Sequence, residues 1–171
     1  MSDGIDNEGK FDSLWSTRDG EPHGPYMQHL FEEGLAPAHR ADFDRRKDAP
    51  YDDLDLSPLP EESYLDNWIA ANAHTMLDRR PRTSPWHLVV NFAGPHDPMD
   101  VTVRMRADWA DVEFPPPFRA DGEPHEHTEI RRRYAAMIEN IDRHLGAFLD
   151  RLEAEGDLAN WNAETAAFPP G

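Results

Sequence analysis

Cysteine is absent from the 171 residues. That excludes disulfides, thiolate metal sites and a thiol nucleophile within this chain. Basic residues are scarce, since 17 Lys+Arg against 34 Asp+Glu leave a net charge of −17. Nucleic-acid binding needs clustered Lys and Arg against phosphate, and a polybasic membrane anchor needs the same, so neither class is expected. Long apolar runs are also missing. The longest, Trp86 to Phe92, falls far short of the ~20 residues that cross a bilayer. The acidic opening Met1-Ser2-Asp3-Gly4-Ile5-Asp6 lacks the basic start and apolar core of a signal peptide, and the compartment stays open. Hydrophobic residues make up 38%, against a usual ~45–50% in a class that also counts glycine. With 16 prolines, this reads as a loop-rich chain with a small core.

Residues 1–59 read as an irregular, variable segment. It holds one short amphipathic piece, Tyr26 to Gly34, in which Met27, Leu30 and Phe31 share a helical face. Residues 60–79 read as a helix that opens on Pro60, Glu61 and Glu62 and carries an apolar face from Tyr64 to Leu77. Trp86 to Phe92 is short, β-rich and flanked by Pro85 and Gly94-Pro95. Its unbroken apolar centre suits a strand covered on both faces, as in a parallel sheet. Residues 93–126 read as loop. Residues 128–155 form the strongest helical pattern, with Thr128 as N-cap and Gly156 as the stop. The order of helix, buried strand, loop and helix is part of a βαβ pattern, so the expected fold class is α/β. A parallel strand needs a neighbour, and nothing after Gly156 reads as one. An unpaired strand edge predicts poor solubility for the chain by itself.

The sharpest local feature is Gly94-Pro95-His96-Asp97-Pro98, directly after the strand. Ligands in open α/β sheets bind beyond the carboxyl ends of strands, and two prolines restrict the backbone around His96. An imidazole there can donate a hydrogen bond to an anionic oxygen or act as a general acid. The plain alternative is a rigid surface loop with a solvated histidine.

The segment Trp86-His87-Leu88-Val89-Val90-Asn91-Phe92-Ala93-Gly94-Pro95-His96-Asp97-Pro98-Met99-Asp100 resembles the interior of a sulfatase, in the alkaline-phosphatase-like superfamily. In that family a buried strand leads into a Pro-His-x-Pro loop. Tyr134 to Asp150 is similar to the helix after this loop, and Tyr64 to Ala70 to the helix before the strand. The resemblance covers residues 60–158, which are expected to be a partial sulfatase-like α/β domain with one buried strand flanked by two helices. Residues 159–171 read as a non-matching tail. The resemblance implies that His96 binds the substrate, contacting the sulfate or the leaving oxygen. It also implies a Ca²⁺ or Mg²⁺ ion and a formylglycine nucleophile, and hydrolysis of sulfate esters by the complete enzyme. Phosphate or phosphonate ester hydrolysis runs on the same scaffold and stays open.

The departures set the expectation for this chain. The formylglycine precursor sits in a Cys-or-Ser-x-Pro-x-Arg motif. Thr83-Ser84-Pro85-Trp86-His87 has threonine first and histidine where arginine belongs. No catalytic nucleophile and no metal ligand is therefore assigned. Asp52-Asp53 reads as a solvated turn. His125-Glu126-His127 has metal-ligand spacing only if it is extended, and a loop or helix cap is the better reading. His74 reads as structural, Glu139, Asp142 and Arg143 as solvated, and Arg131-Arg132-Arg133 as a surface face. The chain is expected to be a fragment of a sulfatase-type hydrolase, inactive by itself and without a cofactor of its own. The alternative is a non-enzymatic acidic interaction module or the remnant of a truncated gene. Oligomeric state is not readable.

Overall fold

The helical periodicity that runs from residue 130 to 152 is realised as one long helix. In the computed structural model, which describes residues 17–18, 21–22, 24–46, 53–115 and 127–158, helix α5 spans His127–Ala154. Its end is set by Gly156, whose φ of 79° few other residues adopt at low cost. The residue 60–79 pattern divides at Tyr64, where an extended ψ of 134° separates a 3-10 turn, Glu61–Ser63, from helix α3, Leu65–Asp78. Helix α1, Pro25–Glu32, buries Tyr26, Met27 and Leu30. It turns at Gly34, φ 71°, while Phe31 stays exposed.

Two helices lie where loop was expected. Helix α2, Ala36–Arg46, turns Ala36, His39, Asp42 and Arg46 inward. A face that is mostly polar gives no apolar periodicity to read. Its inner side is held by ion pairing, with Arg46 Nε donating to Asp42 Oδ2 at 2.9 Å. Helix α4, Val103–Asp108, is short and opens on Thr102, whose side chain accepts from Met105 N at 3.2 Å.

The expected α/β architecture with a buried strand is overturned. The described residues are helical, and the only strand pairing among them is a two-residue antiparallel contact, β1 (Thr17–Arg18) with β2 (Glu21–Pro22). Residues 86–92 are extended but join no ladder. Trp86, Leu88, Val90 and Phe92 pack on the cluster of Ala70, Ala73 and Leu77 of α3 and Phe148 of α5. His87, Val89 and Asn91 face outward, and Val89 is 57% exposed. The run thus keeps the period-two geometry of a strand while one face and its backbone edges lack a second strand. A continuous apolar run does not identify which elements will cover it.

The core is divided among the helices. Tyr26, Met27, Leu30, Ala36 and Leu59 pack with Leu65 and Trp68 between α1, α2 and α3. Tyr64, Met99, Val101, Met105, Ala136 and Met137 join α4 to the first half of α5. Two buried arginines hold the connecting segment 53–56 between these groups. Arg46 donates to Asp53 O at 3.0 Å and to Asp55 O at 2.7 Å. From the other side, Arg133 donates to Asp55 O and to Met99 O, both at 3.0 Å, and to Leu54 O.

One face of α5 is left apolar and half-exposed, at Tyr134, Ile138, Leu145 and Leu149. Contiguous exposed apolar surface binds hydrophobic dyes and promotes association. The double substitution Leu145→Glu, Leu149→Glu is expected to remove roughly half of the anilinonaphthalene sulfonate fluorescence of the chain and to leave its melting temperature unchanged. An unchanged dye signal would show that this face is covered in solution.

Candidate active-site loop

The extended run delivers the chain to residues 93–98 at the junction of α3 and α5. His96 N donates to Ala93 O at 3.3 Å and closes a turn. The bonds Gly94–Pro95 and Asp97–Pro98 are cis. The His96 side chain is 64% exposed. Its Nδ1 lies 2.7 Å from Asp97 O and 3.2 Å from Asp97 Oδ1. A carbonyl can only accept, so Nδ1–H donates, and this bond sets the ring relative to the loop backbone.

The loop is anchored from below by Asp66, in the first turn of α3. Asp66 is 1% exposed. Its Oδ1 accepts from Ala93 N at 2.7 Å and its Oδ2 from Gly94 N at 3.0 Å. Two backbone N–H groups and the N-terminal end of a helix offset the cost of burying this carboxylate. Gly94 fits because it has no side chain. A Cβ there would lie 2.6 Å from Asp66 Oδ2, 3.4 Å from Ile141 Cδ1 and 3.5 Å from Met137 Cε.

Behind the loop the Phe92 and His144 rings stack at 6.1 Å between centroids. His144 Nε2 lies 2.7 Å from Asn67 Oδ1, an acceptor, and so donates to it. Burial, with Arg143 and His74 nearby, depresses the pKa of His144. His74 packs on Phe148 at 4.3 Å between ring centroids and is likewise depressed by burial, then by Arg151. Both histidines sit within the packing of α3 on α5. Asp100 lies just beyond the loop. Burial foremost, with Asp42 and Asp66 adding negative charge, pushes its carboxyl up to about 7 although Arg46 pulls the other way.

The remaining sequence candidates do not gather at this loop. Asp53 accepts from Arg45, and Asp52 lies outside the described residues. His125 and Glu126 also lie outside them, and His127 opens α5. Thr83 and Ser84 are exposed and belong to no regular element. Glu139 accepts from Trp109 Nε1, and Arg143 donates to Asn140 Oδ1. The Arg131–Arg133 run is not a surface face throughout. Arg132 donates to Val112 O at 2.7 Å, and Arg133 is buried.

A divalent cation needs several oxygen ligands at once. Among the described residues no three His, Asp or Glu side chains converge to hold one. The acidic neighbours Asp42 and Asp66 are committed to Arg46 and to the Ala93 and Gly94 amides respectively. These residues do not fit a metal centre. Their arrangement can present an imidazole to an anion on an anchored loop. The sequence marks His96 through its motif and gives no sign of the Asp66 contact or of the Asp100 environment. Nothing local marks a first-turn aspartate as the partner of amides 27 and 28 positions downstream.

No curated protein and no solved structure matches the chain. A family model described as Sulfatase matches residues 4–162.

Proposed function

Because the chain belongs to the sulfatase family, we propose that residues 86–98 supply the substrate-anion loop of a sulfuric ester hydrolase, with His96 as the side chain that meets the sulfate. The observation that carries this reading is the exposed His96 ring, set by its Nδ1 bond to Asp97 O at the tip of an anchored turn. An imidazolium at such a site stabilises charge that develops on the departing oxygen, or protonates it as the ester bond breaks.

The chain supplies binding and orientation, and by itself it does not turn over. It has no cysteine and no serine in the required motif to become the aldehyde nucleophile, and its described residues hold no metal centre. In the family those groups supply the attacking oxygen and the neutralisation of sulfate charge.

Titrating the histidine-labelled chain with inorganic sulfate, followed by NMR, is expected to move the His96 ring signals saturably. His96→Ala should abolish the shift, and 4-nitrophenyl sulfate should not be hydrolysed above blank. Signals of His96 that stay still up to molar sulfate would sink the binding role. Hydrolysis well above blank that is lost in His96→Ala would overturn the inactivity. The order of affinity among sulfate, phosphate and methylphosphonate separates the ester classes the scaffold can serve.

A further inference from the structure

We infer that Asp66 is the positioning residue of the His96 loop, acting through the main chain rather than on substrate. The inference rests on the reading of His96 as the anion contact, and it adds a residue that no motif marks.

Three observations converge. Each carboxylate oxygen of Asp66 takes a different amide, Ala93 N and Gly94 N. Two bonds from one planar group to consecutive N–H groups fix both the place and the rotation of that stretch of backbone, as a single bond does not. The next main-chain bond, from His96 N to Ala93 O, is accepted by the residue that Asp66 holds. The path from carboxylate to imidazole is thus one turn of chain. Ile141 Cδ1 and Met137 Cε close in on the same side of Gly94 as Asp66 Oδ2, so the space a Gly94 side chain would need is filled by the anion on α3 and by apolar side chains of α5. Asp66 lies at the packed end of α3, buried and committed to these amides. It is supported by a rigid element, as a pre-organised site requires.

A role limited to stability predicts that variants melt earlier while the folded fraction binds sulfate normally. Positioning predicts a change at His96 in the folded state. Asp66→Asn retains one acceptor and turns an NH₂ toward the other amide. With folding verified at low temperature, it is expected to lower the protection of the Ala93 or Gly94 amide from hydrogen exchange at least ~10-fold. It is also expected to shift the His96 ring signals and weaken sulfate binding ~10-fold, by analogy with the loss of a supporting group around a site. Asp66→Glu should recover part of both effects. Gly94→Ala would set a methyl against Asp66 Oδ2 itself and should reproduce the exchange and His96 changes.

In the wild-type chain, through-bond coupling between Asp66 Cγ and the Ala93 and Gly94 nitrogens reads the contact without any variant. Absent coupling, or Asp66→Asn with unchanged amide protection and His96 signals, would overturn the inference. Wild-type chain that takes up no sulfate while the amide and ring changes still follow Asp66→Asn would count against the His96 reading alone and leave the positioning role supported.

Discussion

Replacing Arg133 with alanine is expected to destabilise the folded chain by about 3–5 kcal/mol, the range for removing one partner of a buried charged network. The guanidinium is buried. It donates to Asp55 O, Met99 O and Leu54 O as well as to Glu129 Oε1 at 2.9 Å. Alanine leaves Leu54 O and Met99 O without this donor, while Asp55 O keeps its bond from Arg46. Each buried acceptor left unsatisfied costs about 1–3 kcal/mol. Glu129 keeps a partner in Arg106 Nε at 2.5 Å, which limits the damage on that side. For a chain of this size the melting temperature should fall by about 10 °C. Arg133→Lys carries the charge but not the fork of donors, so it should recover less than half of the loss. Thermal unfolding by circular dichroism reads both variants. A shift within about 2 °C for Arg133→Ala would mean that the 54–56 segment is not held from α5.

The second large effect depends on pH and centres on Asp100. Its carboxyl is raised to about 7 by burial and by neighbouring negative charge. In the unfolded chain it sits near ~3.9. A raised acid binds its proton more tightly when folded. Its contribution to stability is therefore fully present below about 4 and is lost as pH rises through about 7. The loss amounts to about 2 kcal/mol once partial solvent access is allowed for. His74 and His144, depressed by burial, act oppositely, because they must charge as pH falls through ~6.5. Glu155, pulled down to about 2 mainly by Arg80, loses its own contribution only in stronger acid.

The clean observable is the comparison with Asp100→Asn, which cannot ionise. Relative to wild type, the asparagine variant should gain about 5 °C in melting temperature between pH 5 and pH 8. A difference that stays constant across that range would remove Asp100 as the source.

The helices were legible in proportion to how apolar their inner faces are. α5 and α1 announce themselves through periodic Leu, Ile, Met and Tyr and through the glycines that end them. α2 did not, because its buried residues include His39, Asp42 and Arg46, and a polar inward face looks like solvent until its partners are known. The same reason hid Arg133. In sequence it is the third of three arginines, and only packing shows that it reaches back to residues 54 and 55. The run 86–92 is apolar and β-rich in composition, yet the covered strand that this composition predicts does not form. A ladder is a non-local contact, and the pattern of one segment does not contain its partner.

What the sequence determined by itself is the family, the Pro95-His96-Asp97-Pro98 loop and the absence of a cysteine to serve as nucleophile precursor. These are matters of residue identity and short spacing. Tertiary structure alone decided that Asp66 holds the loop, that Asp100 stands among buried charges and that residues 86–92 lean on two helices without a sheet. Each depends on side chains and amides far apart in the chain meeting where water is excluded. There, hydrogen bonds and charges gain strength.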